Sequence, residues 1–161
     1  MATYLISFAK NIGARFIVTS RSEGKRKQAL ALGADIALDT NGDWKKELDG
    51  ETIDLVIESV GRATFNRSLE VLKKGGRIVV FGATTEDTVE LDLRNFFYNQ
   101  FQLLGSTMGS REELREMIAH IEKYETHPVV DQIFTLDDAV EAFDYLKQSK
   151  NFGKVVFKIS E

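Results

Sequence analysis

The sequence has 161 residues, 43% of them apolar, with 11 Phe and a single Pro, which suits one packed domain spanning 1–161 and not a disordered chain. A net charge of -4 and a pI near 5.3 argue against nucleic acid or an anionic membrane as partner, because such proteins carry excess Lys and Arg. The absence of Cys excludes disulfides, thiolate catalysis and Cys-ligated zinc within this sequence.

No run approaches the ~20 apolar residues that cross a bilayer, and the first residues lack the pattern of a secretory leader, so a cytoplasmic protein is expected. Thr3 to Asn11 reads as a helix, apolar at Tyr4, Leu5, Phe8 and Ala9 and closed by Gly13. Arg15 to Thr19 follows as a strand. "EGKRKQALALGAD" reads as a helix with a stripe through Ala29, Leu30 and Leu32, ended by Gly33, and "DIALD" as a short strand.

A helical turn is expected at Trp44 to Leu48. "IDLVIESVG" is too continuously apolar for a sheet with one wet face and reads as a buried parallel strand. A helix from about Ala63 to Lys73 is expected to end at Gly75 and Gly76, before the buried strand "RIVVFG". A loop and a short aromatic helix in "LRNFFYNQ" lead to the strand "FQLLGSTM".

Ser110 and Glu113 have the spacing of a reciprocal helix cap, opening a helix with Leu114, Met117, Ile118 and Ile121 on one face. Thr135 and Asp138 repeat that spacing ahead of "AVEAFDYLKQ", and "GKVVFKI" closes the chain as a strand. Strands alternating with helices imply an α/β fold, a parallel sheet wound on both faces.

In such folds anions and nucleotides collect where strands end and helices begin. "TSRSEGK" places Ser20 and Arg21 at a strand tip, with Lys25 one helical turn on and no carboxylate at the tip itself. An adenosine ribose wants an acid there, whereas a 2'-phosphate is served by this set, so NADP is favoured over NAD. Cations at a helix start also oppose the helix dipole, which argues that they serve a ligand.

"ESVGR" and "FGATT" each end a strand in glycine, as close approach of a flat ring or ordinary turn chemistry would both require. Lys154 fits either a phosphate contact or an edge-strand gatekeeper. The Met and Phe positions read as core. His120 and His127 lack metal-ligand spacing, so no metal is expected. No Ser-His-Asp set or carboxylate pair stands out, and no catalytic residue is assigned.

Together "GARFIVTSRSEGKRKQALALGAD", "IDLVIESVG", "LKKGGRIVVFGATT" and "FQLLGSTMGSREEL" resemble the cofactor-binding domain of the medium-chain dehydrogenase/reductases, the zinc-type alcohol dehydrogenase and quinone reductase family. The resemblance implies a six-stranded Rossmann fold, ordered 3-2-1-4-5-6, in which this sequence starts inside the first helix. The opening strand, its glycine-rich turn and the catalytic domain with any zinc would then lie outside it.

The same resemblance places Ser20, Arg21 and Lys25 at the adenosine ribose or its 2'-phosphate. Ser59, Val60 and Gly61 would lie by adenine and ribose, and Phe81, Gly82 and Ala83 by the nicotinamide ribose. Ser106, Thr107 and Met108 would reach the nicotinamide amide, and Lys154 the pyrophosphate. It implies a homodimer through the edge of the sixth strand, about Phe101 to Thr107.

The function implied is the cofactor domain of an NADP(H)-dependent oxidoreductase, inactive alone, with binding weak or lost. A central strand left out would expose backbone groups, inviting self-association or closure of the strand holding Ile17 onto that holding Ile57. The alternative is a non-catalytic interaction domain on the same scaffold. A methyltransferase would want an acid where Ser20 and Arg21 stand.

Overall fold

A computed structural model describes residues 2–159, which divide into two compact units, residues 2–39 with 111–159, and residues 40–110. Among the described residues no helix is long and apolar enough to cross a membrane.

In the first unit, helix α1 (Ala2–Asn11) is followed by strand β1 (Ile17–Ser20), helix α2 (Glu23–Leu32) and strand β2 (Ile36–Asp39). The Ser22 hydroxyl caps α2 by accepting from the Lys25 N–H, and Gly33 at φ 116° ends it in the left-handed conformation that glycine takes at least cost. β1 and β2 run parallel, with Ser20 opposite Asp39. Ile6, Ala29 and Ala34 are buried together, with Phe16, Val18, Leu32 and Phe152 packed on them.

The same unit holds α6 (Arg111–Lys123), β6 (Val130–Thr135), α7 (Ala139–Lys147) and β7 (Lys154–Lys158). β6 has no counterpart in the sequence reading, because "VDQIFT" mixes polar and apolar residues, yet it pairs in parallel with β7. Asp131 on β6 accepts from the Tyr145 hydroxyl of α7 at 2.6 Å and from the Phe152 N–H at 3.1 Å. That bond raises the phenol above its ordinary 10.0.

Thr135 does not form the expected reciprocal cap. Its hydroxyl donates to the Asp138 carboxylate at 2.6 Å, and a 3-10 turn over Leu136–Asp138 leads into α7. His120 is half-buried, edge-on to Phe8 at 5.1 Å and stacked near Tyr124 at 4.6 Å, a packing role.

The second unit is built on β3 (Ile53–Glu58), β4 (Leu72–Val80) and β5 (Gln102–Gly105), parallel in the order β3-β4-β5. Helix α3 (Trp44–Glu47) precedes β3, and α4 (Phe65–Val71) and α5 (Leu93–Tyr98) connect the three strands in turn. Its core gathers Phe65, Leu69, Leu72, Ile78 and Phe101, each burial contributing about 1.5–3 kcal/mol.

α4 ends earlier than the glycines suggest: Leu72 already has an extended ψ of 134° and pairs with Ile53. The chain then bulges and rejoins at Arg77 opposite Leu55, with Gly75 at φ 74° inside the bulge. The expectation that β3 is buried throughout, and that Met108 is core, needs correcting. Leu55 is 47% exposed, all four residues of β5 are exposed, and Met108, expected in the core, is 98% exposed.

β1 pairs only with β2 and β3 only with β4 among the described residues, so each keeps one edge without a strand. Among the described residues the strand holding Ile17 is not paired with the strand holding Ile57, contrary to that expectation.

Candidate functional site

The carboxyl end of β1 carries a cationic group of candidate residues. Ser20 closes the strand, and its hydroxyl accepts from the Ser22 N–H at 3.3 Å. Its carbonyl accepts from the Arg26 guanidinium at 2.6 Å, and the same nitrogen meets the Asp39 carboxylate at 3.1 Å. Arg26 therefore ties the tips of β1 and β2 together and neutralises Asp39, the carboxylate paired opposite Ser20.

Arg21 is exposed and Lys25 half-buried, and neither head group bonds to anything among the described residues. Two unpaired cations next to a neutralised acid form a surface that attracts an anion. Lys154 lies on the separate β6–β7 sheet, where its N–H donates to the Val129 carbonyl at 2.8 Å. No hydrogen bond or ion pair joins it to Ser20, Arg21 or Lys25.

In the second unit backbone hydrogen bonds bring the tips of β3, β4 and β5 side by side. The Phe81 N–H donates to the Glu58 carbonyl at 3.1 Å, and the Ser106 N–H to the Val80 carbonyl at 2.9 Å. Ser59, Val60 and Gly61 thus adjoin Phe81, Gly82 and Ala83. Ser106, Thr107 and Met108 follow β5, all exposed, with Met108 at φ 56°.

The two turns interlock. The Ser59 carbonyl accepts from the Thr84 N–H at 3.3 Å, and the Val60 carbonyl from the Thr85 N–H at 2.8 Å and hydroxyl at 2.6 Å. Arg62 donates through its backbone to the Glu86 carbonyl at 3.1 Å and through its side chain to the Glu86 carboxylate at 2.7 Å.

This locking gives the two glycines different reasons. Gly61 sits at φ 92°, and a Cβ there would stand 2.4 Å from the Glu86 carbonyl oxygen, so its space is filled by the chain itself. The three atoms nearest a Cβ on Gly82 all belong to Ser59, the closest at 3.4 Å, an ordinary contact that leaves room for close approach.

The sequence reading passed over Glu58. It ends β3 at 3% exposure, and its carboxylate accepts from the N–H groups of Val60 at 2.7 Å and Gly61 at 3.3 Å and from the hydroxyls of Thr64 and Ser68. An acid ending an apolar run, with hydroxyl residues six and ten positions on, was the available signal. Because these amides face their own carboxylate, they are spoken for and cannot bind a phosphate.

A concavity of about 510 Å³ lies against α7 and is lined by Asp137, Asp138, Glu141 and Asp144, an acidic surface that repels a dinucleotide.

Residues 1–123 match the family model described as zinc-binding dehydrogenase. The chain belongs to the zinc-binding dehydrogenase family. A zinc-type alcohol dehydrogenase-like protein of Schizosaccharomyces pombe is 31% identical, the alignment taking in 99% of this chain and 49% of that protein.

The crystal structure of an NAD-dependent alcohol dehydrogenase superposes with a TM-score of 0.84 at 35% identity, over 98% of this chain and 48% of that one. A 2-octenoyl-CoA carboxylase reductase solved with NADP and 2-octenoyl-CoA superposes at 0.82 with 25% identity, over 96% and 40%. The chain spans about half the length of the curated relatives it matches. The Rossmann-like α/β fold of these dehydrogenases is thus the fold of this zinc-binding dehydrogenase chain.

The sequence has no Cys, and among the described residues no three His, Asp or Glu side chains gather as metal ligands would.

Proposed function

We propose that this chain is the cofactor-binding part of an NADP(H)-dependent oxidoreductase of the alcohol dehydrogenase and quinone reductase type, working in the cytoplasm. The observation that carries the reading is the β1 tip, where Arg21 and Lys25 are unpaired while Arg26 neutralises Asp39. A 2'-phosphate there would gain charge-assisted hydrogen bonds, and the ribose of NAD would find no free carboxylate.

Ser59, Val60 and Gly61 then flank adenine and its ribose, Phe81, Gly82 and Ala83 the nicotinamide ribose, and Ser106, Thr107 and Met108 the amide. Lys154 serves the pyrophosphate. When bound, the cofactor supplies hydride transfer, and this part of the protein supplies binding and orientation. We assign it no catalytic residue and no turnover alone. The glycine-rich turn that would cradle the pyrophosphate is not among these residues, so the affinity of this chain is expected to be weak.

Titration with NADPH and NADH, followed by nicotinamide fluorescence, tests the reading. NADPH saturates the chain and NADH binds more weakly. Arg21→Ala weakens NADPH about tenfold to a hundredfold and Lys25→Ala less, while NADH is barely affected. Equal affinity for both cofactors in all variants overturns it.

A second reading rests on β5, whose Leu103 and Leu104 are each 43% exposed beside an edge without a strand among the described residues. A homodimer joined through Phe101 to Thr107 would cover them. A concentration-independent dimer in sedimentation, with indifference to either dinucleotide, would favour a non-catalytic interaction domain.

A further inference from the structure

Glu58 is a buried carboxylate to which no cation is paired among the described residues. Such a charge is costly unless hydrogen bonds compensate it. Here they do. Oε1 accepts from the Val60 and Gly61 N–H groups, Oε2 accepts from the Ser68 hydroxyl at 3.1 Å, and the Thr64 hydroxyl lies 3.0 and 2.9 Å from the two oxygens. No buried side-chain nitrogen or oxygen is left without a partner among the described residues.

We infer that Glu58 is a positioning residue of the dinucleotide site: an internal anion that holds the Ser59–Gly61 turn and, through it, the turn from Phe81 to Glu86. The inference rests on the cofactor reading above and deepens it. Drawing the two N–H groups inward turns the Ser59 and Val60 carbonyls toward the second turn, where Thr84 and Thr85 donate to them. Gly61 at φ 92° then fits under the Glu86 carbonyl.

The chain of support runs one way. Glu58 and α4, through Thr64 and Ser68, fix the first turn, and the first turn fixes the second. With its amides facing inward, the first turn presents side chains to a ligand, a shape for a ring and sugar instead of a cradle for phosphate.

Glu58→Met keeps size and removes every acceptor, whereas Glu58→Gln keeps one oxygen for the amides and an NH2 group for the two hydroxyls. Amide hydrogen exchange and NADPH titration on the whole chain read both variants. In Glu58→Met the amides of Val60, Gly61, Thr84 and Thr85 exchange about tenfold faster or more, those of Leu69 and Ile78 stay within about twofold, and NADPH binds about tenfold more weakly. Glu58→Gln stays within about threefold of the parent in both readouts.

Uniform acceleration across the core, parent-like exchange in Glu58→Met, or loosened turns with undiminished NADPH affinity each overturn the inference. A parent chain that fails to bind NADPH overturns the cofactor reading and the site-directed half of the inference, while the exchange pattern still decides whether Glu58 orders the turns. If Glu58→Met does not fold, Thr64→Val serves: local acceleration at Val60 and Gly61 upholds the inference, and none refutes it.

Discussion

At the tip of β1 the backbone is capped and the long side chains are left over; at the tips of β3 and β4 nearly every polar group is already spent on its neighbours. Ser20 and Ser22 satisfy the local amides, so Arg21 and Lys25 remain as movable charges. Around Glu58 the amides, hydroxyls and carbonyls close on one another, and what remains is a shape. The first arrangement recognises charge with flexible heads, and the second recognises form with a fixed backbone. The two should respond differently to mutation: one through affinity with stability untouched, the other through both.

The largest expected effect is at Gly61. An alanine must adopt φ 92° and place its Cβ 2.4 Å from the Glu86 carbonyl oxygen, so one turn has to move off the other. Strain and displacement together cost about 2–4 kcal/mol, read as a lower urea midpoint. Gly82→Ala, whose Cβ has room, leaves that midpoint nearly unchanged and weakens NADPH by about 1 kcal/mol as the added methyl meets the ligand. If both alanines destabilise alike, the distinction between a packing glycine and a ligand glycine fails.

Much of this frame could be read from the sequence, and the exceptions share a cause. Gly33 ends α2 through local chemistry, which a linear reading sees. The early end of α4 depends on Leu72 finding Ile53, nineteen positions away in the chain, and no local signal at Leu72 competes with the glycines that follow. β6 was invisible because Val130 and Ile133 are 43% and 65% exposed, so its pattern lacks a buried face. The candidate cations were legible as residue types at a strand tip. The partners that give them meaning, Arg26 with Asp39 and Glu58 with Thr64 and Ser68, come from tertiary proximity.

A smaller effect sharpens the β1 side. Arg26→Gln removes the guanidinium paired with Asp39, so the carboxylate opposite Ser20 loses that counter-charge. The partly buried ion pair contributes about 1 kcal/mol, so stability falls little. NADPH weakens about threefold to tenfold by repulsion, while NADH, which has no 2'-phosphate to be repelled, loses less. Parallel loss of both cofactors would mean that Arg26 only supports the strand tip.

The smallest effect serves as the control, at the opposite end of β3. Asp54 accepts from the Lys73 ammonium, and that hydrogen bond together with the charge of Lys73 holds its carboxyl below the ordinary value of 3.8. A depressed carboxyl contributes stability that is present above its unfolded value and lost as pH falls through the folded one, so the effect lies below about pH 4. The pair is largely exposed, at 48% and 77%, and water screens it. Asp54→Asn should flatten the acid limb of the stability curve slightly, as measured by urea midpoints at successive pH values. It should leave NADPH affinity at neutral pH unchanged, since nucleotides meet the carboxyl ends of parallel strands and Asp54 stands near the amino end. A cofactor defect in this variant would show that the second unit transmits strain along β3, and the contrast between a rigid form and a movable charge would then describe the whole strand and not its tip.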